Sequence, residues 1–113
     1  MFTQKDLRSI DRSYFIVKFV GCYGVTLQSK NTRHCWHIAN EDLGTYESCK
    51  IHHTHHEGTA MHEHGHGRTL QSCMRKIKSH DEYQLAKDAR KRRYARDRRR
   101  NVRIEAEDLA AII

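Results

Sequence analysis

The chain has no proline, and its 113 residues contain no apolar run near the roughly 20 that a membrane-spanning helix needs. No membrane partner is therefore expected. Without proline or glycine between residues 86 and 103, nothing there breaks a helix. The first residues, Met1 to Arg8, lack the apolar stretch of a secretory leader, so a cytoplasmic location is expected. The four cysteines (Cys22, Cys35, Cys49 and Cys73) form no Cys-x-x-Cys pair, which argues against a zinc knuckle or a dithiol redox motif. They read as reduced thiols at core or strand positions; only in a secreted chain would two disulfides be the alternative. No Gly-rich phosphate loop is present, and no nucleophile–base arrangement stands out. Asp42, Glu47, Glu57 and Glu63 form no recognisable metal constellation. Apolar residues are scarce too. At 37% they fall below the ~45–50% of an average globular domain, although that average counts glycine and omits tyrosine. One small core plus a segment that adds nothing to it is the natural organisation, and a TIM barrel of ~250 residues is excluded.

What is abundant is positive charge in one place. The formal net charge is +7, but residues 1–85 carry 11 basic and 9 acidic side chains. Residues 86–103 carry 10 basic and 2 acidic ones, and residues 104–113 carry three acids and no base. The basicity is a local feature of one segment.

Hydrophobic periodicity predicts the rest. Residues 14–20 read as a strand with Phe15, Val17 and Phe19 on one face and Tyr14, Ile16, Lys18 and Val20 on the other. Residues 21–24 are a turn. Residues 25–30 form a half-buried strand alternating Val25 and Leu27 against Thr26 and Gln28, followed by a turn at Asn31 and Thr32. Residues 33–39 form a third strand with Trp36 and Ile38 on the apolar side and Cys35 and His37 on the other. A loop is expected over 40–44. A fourth strand follows over 45–53, with Cys49 and Ile51 facing one way and Ser48, Lys50 and His52 the other. Such short connections imply antiparallel neighbours. Residues 1–13 read as loose or as a short helix, and 54–67 as a His- and Gly-rich loop. Thr69 is a predicted N-cap. Leu70, Cys73, Met74 and Ile77 recur at helical spacing to cover the sheet, with Gln71, Arg75 and Lys78 pointing away. At His80 and Asp81 the helix either ends or runs on, and Tyr83, Leu85, Ala86 and Ala89 offer some further apolar contact. The expected fold class is α+β: a four-stranded antiparallel meander packed by one amphipathic helix, with a basic C-terminal helical extension. The expected division is a domain over 1–85, including the His-rich loop at 52–67, and an extension over 86–113.

Segment 86–103 has high helix propensity but little apolar surface, so core packing cannot hold it. Asp88 with Arg92 and Arg93 with Asp97 are i,i+4 pairs worth only about 0.2–0.5 kcal/mol each. Ten cations, eight of them Arg, suit a polyanion. The expected nucleic-acid contacts are Lys87, Arg90, Lys91, Arg92, Arg93, Arg96, Arg98, Arg99, Arg100 and Arg103. The plainer reading is a solvated helix kept for solubility. An anionic membrane surface fits less well, because the apolar face of an interfacial helix is missing. The acidic-apolar end at 104–113 is suited to docking on the domain or on a second copy, which makes a homodimer one expected partner arrangement.

Seven of the ten histidines fall within residues 52–66. Imidazole is a common ligand for zinc, nickel and copper. Residues 62–66 match His-Glu-x-x-His literally, but the helix that motif needs is contradicted by Gly65 and Gly67. Were the loop an extension of the sheet, His62, His64 and His66 would alternate onto one face. His52 would lie near Cys35 or His37. The expected metal ligands are accordingly His52, His62, His64 and His66, with zinc the ion, and no cofactor is required. The plainer reading is a polar loop whose imidazoles face water or contact phosphate.

The stretch VTLQSKNTRHCWHI at 25–38, the His-rich loop, and IKSHDEYQL at 77–85 resemble small uncharacterised proteins of phages and integrative elements in gut Bacillota. The resemblance covers residues 14–85 and omits the basic segment. It implies a mobile-element setting that includes anti-CRISPR inhibitors, a bacterial host cytoplasm and a binding role, and it assigns no catalytic residue. The leading expectation is a non-enzymatic binder of DNA, RNA or a ribonucleoprotein. One alternative is an anti-CRISPR inhibitor that occupies an effector's nucleic-acid surface or binds its guide RNA. The other is a metal-dependent hydrolase or nuclease using the histidines.

Overall fold

In the computed structural model, residues 1–42 and 47–112 are described. Leu43 and Gly44 of the expected loop, Thr45 and Tyr46 of the expected fourth strand, and Ile113 lie outside them. The elements are α1 (Gln4–Arg8), β1 (Phe15–Val20), β2 (Gly24–Ser29), β3 (Cys35–Asp42), β4 (Glu47–Thr54), β5 (His62–Gly67) and α2 (Leu70–Ile112). The strands form one antiparallel sheet in chain order. The fold is α+β with a meander, but of five strands rather than four.

β5 is the addition. Its sequence, HEHGHG, offers no apolar residue, so periodicity could not find it. It forms because β4 presents an unpaired edge whose backbone groups need partners, and pairing uses the main chain alone. Similarly, β3 runs on to Asp42 where a loop was expected from Asn40, pairing Asn40 with Cys49 and Glu41 with Ser48.

Two one-residue bulges set which side chains reach the core. In β1 the register jumps from Val17–Leu27 to Phe19–Thr26, so Lys18 is the extra residue. Phe19 therefore shares the face of Thr26 and is 57% exposed instead of buried beside Phe15. In β4–β5 the register jumps from Ile51–Gly65 to His52–Glu63, which makes His64 the extra residue.

The chain divides into two compact units, Met1–Asp81 and Glu82–Ile113. The core of the first is Phe15, Val25, Leu27, Trp36, Ile38, Cys49 and Ile51 from the sheet, joined by Leu70, Cys73, Met74 and Ile77 of α2. Phe2 and Ile10, which flank α1, seal its end. α1 is fixed by a capping box between Thr3 and Asp6. Gln71 and Lys78, expected to point away, reach this N-terminal segment and donate to Asp6 and Asp11, each at 3.1 Å. At the start of α2, the Ser72 amide donates to the Thr69 hydroxyl at 3.1 Å, the predicted cap. A Cβ on Gly67 would stand 2.6 Å from Cys73 Sγ, so only glycine lets β5 end this close to the helix. No disulfide links the four cysteines; Cys35, Cys49 and Cys73 are buried, while Cys22 in the β1–β2 turn is exposed.

The helical stripe of buried residues continues past Ile77 to Asp81, which is fully buried. Its carboxylate accepts hydrogen bonds from the Tyr14 hydroxyl at 2.6 Å and the Thr32 hydroxyl at 3.0 Å. It ties α2 to the start of β1 and to the β2–β3 turn. Asp81→Ala leaves both hydroxyls without their charged acceptor and should cost about 3 kcal/mol. Tyr14→Phe removes the bond to Asp81 and the one its hydroxyl accepts from Asn31 at 3.2 Å, and should cost about 2 kcal/mol. Urea unfolding of both variants checks this; equal, negligible losses would show that the carboxylate is not a tie.

Candidate functional site

The first unit gathers six of the ten histidines around Trp36. The sequence explains how. Trp36 alternates with Ile38 onto the helix-covered face of β3, and its register partner on β4 is His53. His53 stacks on the indole with ring centroids 4.0 Å apart and is 2% exposed. The indole Nε1 donates to Ser29 Oγ at 3.1 Å. His53 Nε2 and His34 Nδ1 share a hydrogen bond of 3.0 Å, one donating and the other accepting according to tautomer. His34 follows Arg33, whose φ of 65° turns the chain through the left-handed region at the end of the β2–β3 turn. His55 stacks on His34 at 4.3 Å. His80 comes from α2, one helical turn beyond Ile77, with its ring 5.1 Å from that of His53 and 4.7 Å from that of His64.

The bulge at His64 supplies the rest. His62 is the register partner of His53, and the rings of His62 and His64 lie 5.5 Å and 5.1 Å from it. One ring nitrogen from each of His34, His53 and His80 lies within 4.8 Å of the others, and the same holds for His53, His62 and His64.

The expected ligand set is therefore split. His62 and His64 join the cluster; His52 and His66 do not. His52 lies on the opposite face of β4, across from His37 at 6.3 Å. His66 pairs with Lys50 in register, and its Nε2 lies 3.2 Å from the Glu63 carboxylate. The single-residue bulge is the physical reason. Without it His62, His64 and His66 would alternate onto one face; with it, His66 changes side. The sequence reading missed His34, His53 and His80. Two of these had a signal: His53 alternates with Ile51, and His80 extends the stripe of Leu70, Cys73 and Ile77.

Burial disfavours the charged form of His53, His64 and His80. His53 is pushed down to about 3, first by burial and then by repulsion from His34, His64, His80 and His55. His64 is lowered by burial and by His80 and His62. His80 is lowered chiefly by burial, with Asp81 opposing. On the other face, His37 is lowered by burial and by His52, and its Nδ1 meets the Thr26 hydroxyl at 2.8 Å. Among the described residues, the buried side-chain atoms without a hydrogen-bond partner include His80 Nδ1.

The second unit is helical and carries the basic segment. Arg90, Lys91, Arg92, Arg93, Arg96, Arg98, Arg99, Arg100 and Arg103 are exposed, and Lys87 is half-buried. Arg92, Arg93, Arg96 and Arg99 line a shallow groove floored by Ala89 and Ala95. Tyr94 is 71% exposed among them. Asp88 accepts a hydrogen bond from Gln84 at 3.1 Å, and Arg103 Nε lies 3.9 Å from Glu107. Tyr83 and Leu85, expected to add apolar contact, are exposed. In the first unit, Arg68, Arg75 and Lys76 line a further basic cleft at the start of α2. No helix among the described residues is long and apolar enough to cross a membrane.

Comparison with protein-family models, with curated proteins and with solved structures finds no match.

His53 binds no proton in the fold until about pH 3, whereas the unfolded imidazole takes one up near 6.5. Stability is thus fully present above pH 6.5 and declines as pH falls toward 3. The unfolding constant should rise by up to about tenfold per pH unit from this group alone. His37, His64 and His80 add in the same direction. Urea titrations of chelator-treated protein at pH 8, 6.5, 5 and 4 measure this; stability that is flat or rises toward pH 4 would contradict it.

Proposed function

We propose that the protein is a small, non-enzymatic nucleic-acid-binding protein that engages DNA, RNA or a ribonucleoprotein through residues 87–103. One observation carries this reading. Ten cations lie on a single helix, nine of them exposed, with only two carboxylates between them in sequence. A helix so charged gains little from its own contacts, and like charges at i,i+4 weaken it. A row of phosphates reverses that balance. Each neutralised phosphate releases condensed counterions, and each arginine fork takes phosphate oxygens bidentately. The exposed Tyr94 ring amid the arginines offers a stacking surface for an unpaired base. Such a role suits the mobile-element setting that the sequence resemblance implies.

Affinity for duplex DNA or single-stranded RNA should fall steeply with salt, with a logarithmic slope near 0.9 or 0.7 per phosphate contact respectively. Replacing Arg92, Arg93, Arg96 and Arg99 together by alanine should reduce that slope by about three to four contacts and weaken binding by about 100-fold or more at low salt. Alanine favours the helix, so circular dichroism should be unchanged. Fluorescence anisotropy across a salt series reads both quantities. An unaltered slope and affinity in the quadruple variant would reject this segment as the contact.

A further inference from the structure

The geometry points to a divalent metal site of the zinc class held by His34, His53 and His80. This site lies in the first unit and is independent of the nucleic-acid reading. Its donors come from three separate parts of the chain: the end of the β2–β3 turn, β4 and α2. One nitrogen from each lies within 4.8 Å of the other two. His53 Nε2 and His34 Nδ1 are 3.0 Å apart. Two nitrogens bound to one tetrahedral zinc, each at about 2.0–2.1 Å, stand roughly 3.3 Å apart, so a shift of a few tenths of an ångström converts the hydrogen bond into a shared edge of a coordination shell. His80 supplies the second, independent observation. Its Nδ1 is buried with no hydrogen-bond partner, an arrangement that costs free energy unless something fills it. A cation reaching that nitrogen would give its lone pair a partner.

The chemistry of the donors selects the ion. Three neutral imidazoles and no carboxylate suit zinc, cobalt, nickel or copper, and reject calcium and magnesium, which demand oxygen. Asp81, beside His80, is already engaged by Tyr14 and Thr32. His64 is a further imidazole beside the triad for a fourth position, with its ring 4.7 Å from that of His80 and 5.1 Å from that of His53. The second triad, His53 with His62 and His64, shares His53 but places two of its members in exposed positions. The buried triad is therefore the stronger site. Filling it clamps α2 onto the sheet at the end of the core where imidazoles replace aliphatic side chains. Because the unfolded chain has no preformed site, binding raises folding stability directly.

The test adds zinc to chelator-treated full-length protein and reads bound metal by equilibrium dialysis and the midpoint of thermal unfolding. The expected result is one tightly bound ion per chain and a raised midpoint. His80→Gln should weaken binding by about 100-fold and abolish the rise. A variant with His55→Gln, His56→Gln, His62→Gln and His66→Gln together should keep the tight ion. No tight ion in the wild type, retention in His80→Gln, or loss in the fourfold variant would each overturn the assignment. Should His80→Gln fail to fold, imidazole nitrogen resonances of the wild type decide. Zinc must shift those of His34, His53 and His80, and shifts confined to the exposed histidines would overturn it.

Discussion

The first unit turns on the stacking of His53 against Trp36. An imidazole at a core position must be neutral and hydrogen-bonded to be tolerated. His34 provides the bond, Trp36 the apolar wall, and α2 the cover. That requirement fixes the β2–β3 turn, since His34 must reach His53 at 3.0 Å. It also fixes the helix, since His80 must lie over the same ring while Asp81 ties to Tyr14 and Thr32. The aliphatic half of the core, from Val25 to Ile77, needs no such arrangement and is held by burial alone.

The polar end of the core and the charge of the chain are separate matters. All ten histidines sit in the first unit, whose 11 basic and 8 acidic side chains are spread along it, whereas the second holds the dense run of ten basic residues against two acids over 86–103. The two units accordingly answer to different variables. Protons act on the first through buried imidazoles. Salt acts on the second, where exposed guanidinium groups carry the charge. A protein built this way can tune the stability of one unit without altering the electrostatics of the other.

Much of this was legible in the sequence. Alternation identified the buried Val25, Leu27, Trp36, Ile38, Cys49 and Ile51 of β2 through β4, though not the buried Cys35 on the other face, and helical spacing identified Leu70, Cys73, Met74 and Ile77 with the cap at Thr69. The charge run needed only counting. What escaped were features that the main chain determines. β5 has no apolar residue to reveal it. Bulges at Lys18 and His64 insert a single residue without any compositional mark, yet each exchanges the faces of everything beyond it. Phe19 and His66 were misplaced for that one reason. His53 and His80 were a different case: their positions followed from the patterns already identified at Ile51 and Ile77. They were passed over because a histidine in an apolar stripe does not announce itself as core, and the denser histidine run nearby drew the ligand assignment to His52 and His66.

The packing of the first unit requires His53 to be a neutral, buried imidazole sharing a hydrogen bond with His34. Nitrogen NMR of the histidine side chains in chelator-treated protein tests that directly. At pH 5 the His53 ring should retain the signature of a single neutral tautomer, because burial holds its ionisation down to about 3. A His53 ring that becomes doubly protonated between pH 7 and pH 5 would contradict the packing of the site and the role given to Trp36.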